Sequence, residues 1–167
     1  MCSDFMTSER PPLMQVVGPS GSGKTTLIER LIPRLRAKGI RIGTVKHAHH
    51  GFDMDRPGKD SWRHAQAGSE AVAVISPERA AWILQTPEEL SIDAAIEPMA
   101  VRVDLILVEG FKREAAGTAI RLEPNPSARL QIDAEVCWVG VHPDQLRPEE
   151  VEQIAAFCAS ARREGSP

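Results

Sequence analysis

From residue 18 the chain reads Gly18-Pro19-Ser20-Gly21-Ser22-Gly23-Lys24-Thr25-Thr26, which contains the GxxxxGK[ST] spacing of a phosphate-binding loop. Each residue type has a physical reason. Glycines let the backbone turn sharply and bring its amides against phosphate oxygens. A helix starting at once would point the positive end of its dipole at the same charge. In this pattern Lys24 reaches the β- and γ-phosphates and the Thr25 hydroxyl coordinates Mg²⁺. The metal needs a carboxylate as well. Glu109 closes the apolar run Val103 to Val108, where a protein with such a loop usually carries an aspartate that helps hold Mg²⁺. The plainer reading of Glu109 is a polar residue ending a strand. Asp104 opens the same run and would lie at the opposite edge from the loop.

A second cluster follows a strand end. His47-Ala48-His49-His50-Gly51-Phe52-Asp53-Met54-Asp55 gathers three of the five histidines with two carboxylates, and Lys46, Arg56, Lys59 and Arg63 flank it. Three readings stand open: a transition-metal site, since imidazole suits zinc, copper and nickel; a contact to an anionic ligand beside the phosphate loop, which the flanking cations favour; or a solvated polar loop.

These residues need elements to position them. Leu13 to Val17 predicts a strand entering the loop, and Thr26 to Lys38 predicts a helix whose apolar face is Leu27, Ile28, Leu31, Ile32 and Leu35, with Gly39 as its stop. Pro33 predicts a kink in the last turns. Arg41 to Lys46 alternates like a strand, completing a strand, helix, strand unit with a right-handed crossover. After a loop from His47 to Gly58, Lys59 to Gln66 predicts a short helix capped by Asp60 or Ser61 and ended by Gly68. Ala71 to Ile75 and Ala81 to Leu84 predict a hairpin, and Thr86-Pro87-Glu88-Glu89 opens a helix running to about Met99. Val103 to Val108 predicts a central strand buried on both faces. Ala119 to Leu122 and Val136 to Val141 predict two more strands, and Pro148 to Arg163 a closing helix. The pattern is α/β: a mostly parallel sheet between helical layers with an antiparallel hairpin.

With 167 residues the chain has room for one domain with a sizeable core, read as a disordered tail over residues 1–12 and a single nucleotide-binding domain over residues 13–167. Against 20 basic residues stand 23 acidic ones, which removes any global attraction to nucleic acid or an anionic membrane. Apolar runs are broken well short of the ~20 residues of a membrane span. The first dozen residues lack the basic start and apolar core of a signal peptide, so a cytoplasmic protein is expected. Cys2, Cys137 and Cys158 have no paired spacing, and the latter two read as small core residues. No NKxD-type guanine reader occurs, and no glutamine or arginine finger is placed by motif, so base preference is not derivable and fast hydrolysis is not implied.

Taken in order, GPSGSGKTTLIERLIPRL, TVKHAHHGFDMDRPGKDSWRHAQAG and DLILVEGFKRE resemble the molybdopterin-guanine dinucleotide biosynthesis adaptor (MobB) family of P-loop NTPases, over Met14 to Leu122. The first block is generic to P-loop proteins; the other two are specific. The resemblance implies a homodimeric, three-layer P-loop protein that binds GTP with Mg²⁺ and is at most a weak GTPase. It implies an adaptor that works with the guanylyltransferase joining GMP to molybdopterin, with molybdopterin itself a possible ligand. The matching positions are Gly18 to Thr26, then His47, His49, His50, Asp53, Asp55 and Lys59 with Asp60 and Ser61, then Glu109 to Lys112. Two alternatives use the same loop: an ATP-dependent small-molecule kinase, for which no arginine-rich lid is visible, and a metal-insertion GTPase, for which the block lacks a cysteine pair or long histidine tract.

Overall fold

The computed structural model describes residues 10–48, 51–111, 118–125 and 128–161. In chain order the elements are β1 (Leu13–Val17), α1 (Lys24–Ala37), β2 (Ile42–Lys46), α2 (Asp60–Gln66), β3 (Ala71–Ile75), β4 (Ala80–Leu84), α3 (Ile92–Ala100), β5 (Leu105–Glu109), β6 (Ala119–Leu122), β7 (Leu130–Ile132), β8 (Val136–Val139), a 3-10 turn at Pro143–Gln145, and α4 (Pro148–Ser160). They form two compact units, Met1–His47 with Ile92–Pro167, and Ala48–Ser91.

The larger unit is built on a six-stranded sheet in the order β2-β5-β1-β6-β8-β7. All neighbours are parallel except β7, which runs antiparallel to β8 at the edge. Side chains alternate across a strand, and β5 shows the consequence. Leu105 and Leu107 join the core that holds Leu27 and Leu31 of α1 and Ile154 of α4, while Ile106 and Val108 join Ile92 and Ile96 of α3. The sheet is thus covered on both faces, as the unbroken apolar run anticipates. Cys137 and Cys158 are fully buried, and burial pushes the Cys137 thiol up to about 12. Arg121 and Trp138 face each other across β6 and β8, with the guanidinium carbon 5.5 Å from the ring centre.

The smaller unit holds α2 and the antiparallel pair of β3 and β4. Val72 is buried there, whereas Ile75 and Trp82 are 74% and 65% exposed.

Several boundaries differ from the sequence reading. Helix α1 begins at Lys24, two residues early, and continues through Pro33 to Ala37; Gly39 then takes a left-handed φ of 76°. The α2 cap is the backbone of Lys59, with no side-chain cap from Asp60 or Ser61. Helix α3 starts at Ile92 rather than at Thr86, because residues 86–91 are irregular chain with a bend at residues 87–88. The last predicted strand stops at Val139, and the three-residue β7 was missed. The hairpin is a separate two-stranded sheet, and the antiparallel member of the main sheet is β7.

Candidate functional site

Strand β1 delivers the chain into the loop at Gly18. A side-chain carbon there would meet the Leu122 carbonyl and the Ser22 hydroxyl oxygen, each at 2.7 Å. Gly21 and Gly23 have φ of 73° and 87°, conformations that other residues adopt only with strain. The first helical bond of α1 runs from Leu27 N to Gly23 O at 2.9 Å, so the amides of Lys24, Thr25 and Thr26 have no carbonyl within the helix to donate to. No side chain caps this end, and its first turn carries no acidic residue. A 14-residue helix therefore points an uncompensated positive terminus at the loop. Lys24 folds back over the same place, its Nζ donating to Pro19 O at 2.7 Å and to Gly18 O at 3.2 Å. Polyphosphate oxygens match this array of amides and one ammonium.

Thr25, in the first turn of α1, meets Glu109 at the end of β5. The parallel register sets Glu109 opposite Val16 of β1 and Lys46 of β2. Thr25 Oγ1 donates to the Glu109 carboxylate, 3.0 Å from each oxygen, and Lys46 Nζ stands 3.8 Å from Oε1. A hydroxyl and a carboxylate are the oxygen donors that Mg²⁺ favours, with water and phosphate oxygens completing its shell. The donor set thus fits the ion, and Thr25 and Glu109 would hold it. Asp104, at the other end of the run, is engaged with Arg41 through the backbone N at 2.8 Å and the guanidinium at 2.8 and 3.1 Å.

After Glu109 the chain turns through Gly110 at φ 103° and Phe111 at φ 51°. A positive φ at a buried phenylalanine is strained. The turn lets His47 stack on Phe111, with ring centres 4.4 Å apart. A side-chain carbon at Gly110 would lie 2.8 Å from His47 Cβ. Of the histidine block, His47 belongs to the larger unit and Asp53, Asp55 and Lys59 to the smaller one. Asp53 and Lys59 are exposed. Asp55 accepts from Arg56 N at 2.8 Å through Oδ1, and its Oδ2 is buried with no hydrogen bond among the described residues. His49, His50 and Lys112 lie outside the described residues. Among the described residues no three histidine, cysteine or acidic side chains form a metal-holding group.

Sequence reading missed His142. It sits beside the loop, its Nε2 2.8 Å from where a side-chain carbon at Gly23 would be. Arg30 of α1 fastens the adjoining turn, donating to Pro143 O and, at 2.8 Å, to Leu146 O. Only its place in the fold marks this histidine, since 118 positions separate Lys24 from His142 by number.

A family model described as molybdopterin guanine dinucleotide synthesis protein B, MobB, matches residues 13–127. The chain belongs to the MobB family. A molybdopterin-guanine dinucleotide biosynthesis adapter protein of Haemophilus influenzae is 48% identical over 111 residues, 66% of this chain and 62% of its own length. The match therefore spans less than two thirds of that MobB relative. One of the same description from Escherichia coli is 47% identical over 134 residues, 77% of each chain. The crystal structure of a molybdopterin-guanine biosynthesis protein B, MobB, matches with a TM-score of 0.67 at 30% identity, over 90% of this chain and 99% of that one. The fold is that of the MobB P-loop NTPases, a mostly parallel α/β sheet with an antiparallel hairpin.

Proposed function

We propose that this chain is a GTP-binding adaptor of molybdenum cofactor biosynthesis. It assists the guanylyltransferase that converts molybdopterin to molybdopterin-guanine dinucleotide. The observation that carries the nucleotide half is the uncapped start of α1, with Lys24 folded over the loop and Thr25 on Glu109. The pathway half is supported by the names of the relatives.

In this reading the amides of Gly21 to Thr26 and the Lys24 ammonium bind the phosphates, while Thr25 and Glu109 orient Mg²⁺, which when bound neutralises phosphate charge. The protein is, in this reading, at most a weak GTPase that works by holding nucleotide. Exposed Ile75 and Trp82 on the hairpin support a homodimer. His47 to Lys59, with its flanking cations, is the segment proposed to meet molybdopterin or the partner enzyme. In this reading the chain is one nucleotide-binding domain that works in the cytoplasm; among the described residues no helix is long and apolar enough to cross a membrane.

The test has two arms. Titration with GTP, GDP and ATP, with and without Mg²⁺, should show GTP binding strengthened by the metal. Addition of the chain to purified guanylyltransferase and molybdopterin should raise dinucleotide yield. An unchanged yield would sink the adaptor role, and no nucleotide binding would sink the site.

A further inference from the structure

A cavity of about 300 Å³ opens beside the phosphate loop, at the lower end of the range for small-molecule sites. Residues 19–22 form one side; residues 122–124 after β6 and 139–142 from the end of β8 form the other. Its location is set by strand order. Glu109, on β5, lies on one side of β1, whereas β6 and β8 lie on the other. A nucleotide whose terminal phosphates and metal sit toward Glu109 therefore has this cavity available for its nucleoside end.

The far wall is locked by backbone bonds. Glu123 N donates to Val139 O at 3.1 Å, Asn125 N to Gly140 O at 3.0 Å, and Gly140 N to Arg129 O at 3.0 Å. At Gly140 a side-chain carbon would fall 1.9 Å from the Ala128 carbonyl and 3.0 Å from that of Asn125, so only glycine lets the chain before β7 lie against this strand end through backbone. Pro19, Pro124 and Val141 supply apolar surface, His142 lies at the end next to Gly23, and Glu123 brings the one carboxylate among the described residues that line the cavity. That carboxylate has no hydrogen bond or ion pair with the described residues.

Resting on the phosphate-loop reading above, we propose that this cavity receives the nucleobase and that Glu123 selects guanine. An ionised carboxylate only accepts hydrogen bonds, and its two oxygens match two adjacent donors. Guanine offers such a pair, N1–H and the exocyclic N2–H. Adenine puts the acceptor N1 beside its amine, so the same carboxylate meets one donor and one lone pair. Hypoxanthine keeps N1–H and lacks the amine. A site that hydrogen-bonds the right base discriminates strongly, because the wrong one leaves polar groups unpaired.

The test titrates the full chain and E123Q with GTP, ITP, XTP, ATP and inorganic tripolyphosphate. The intact chain should bind GTP at least tenfold more tightly than ITP or ATP. E123Q should weaken GTP by about 10- to 100-fold, the range for a hydrogen bond to a charged group. It should leave tripolyphosphate within about twofold, and it should gain affinity for XTP, whose O2 accepts from an amide; a merely structural role for Glu123 predicts no such gain. A GTP to ATP ratio unchanged within twofold in E123Q overturns the assignment. So does equal binding of GTP, ITP and ATP by the intact chain, which leaves the phosphate loop standing if tripolyphosphate binds. No binding of tripolyphosphate or any nucleotide overturns the phosphate loop and this inference together.

Discussion

Thr25 Oγ1 lies 3.0 Å from both carboxylate oxygens of Glu109, although 84 positions separate the two residues in the chain. Both are oxygen donors suited to Mg²⁺. Glu109→Gln removes the negative charge while keeping size and shape. We expect it to reduce the Mg²⁺-dependent gain in nucleotide affinity by about tenfold or more, with affinity in chelator nearly unchanged, read by titration at several metal concentrations.

Lys24 interacts with loop carbonyls rather than with the core. Lys24→Ala should abolish measurable nucleotide binding and shift the thermal midpoint by only a few degrees, since a surface change of this kind costs about 0.5 kcal/mol. Unfolding of the variant at room temperature would instead make Lys24 a structural residue.

Gly23 combines a φ of 87° with neighbours that leave no space for a methyl, Pro143 Cδ at 2.6 Å and His142 Nε2 at 2.8 Å. Gly23→Ala should cost about 1–3 kcal/mol from backbone strain alone. Binding should fall too, because the displaced turn carries the first amides of α1. Circular dichroism melts paired with GTP titration would measure both. Gly39→Ala, strained at φ 76° but in open space, should destabilise without altering affinity.

Glu150 is buried at the start of α4 and accepts from the guanidinium groups of Arg129 and Arg147 and from Arg147 N. Those bonds, Arg129 first, hold its carboxyl well below the ordinary 4.5. A depressed folded pKa stabilises above the unfolded value and loses that contribution as pH falls. Stability should therefore decline from about pH 4.5 downward, and Glu150→Gln should flatten that part of the pH profile while lowering neutral stability by about 1–3 kcal/mol. Urea midpoints across pH 3 to 7 would show it; parallel profiles would overturn it.

The phosphate loop was legible because its parts are contiguous: eight residues from Gly18 to Thr25 specify the turn, the amides and the lysine by local stereochemistry. The strands β1 and β5 and the helix α1 were legible because hydrophobic periodicity records which faces are covered. Where local signals were shared between states, reading failed. Thr86-Pro87-Glu88-Glu89 has the composition of a helix start, yet the helix waits for Ile92, the first residue there that the core buries. Strand β7 has only three residues, too few to show a period, and exists because β8 offers an edge. What the sequence alone determined is that this chain carries a phosphate-loop pattern and belongs among P-loop folds, since both follow from short-range pattern. Tertiary structure decided that Thr25 meets Glu109 at 3.0 Å, that His142 covers Gly23, and that Glu123 lines a cavity beside the loop. Each depends on strand order and register, which bring together residues from different crossovers and leave no trace in their spacing along the chain.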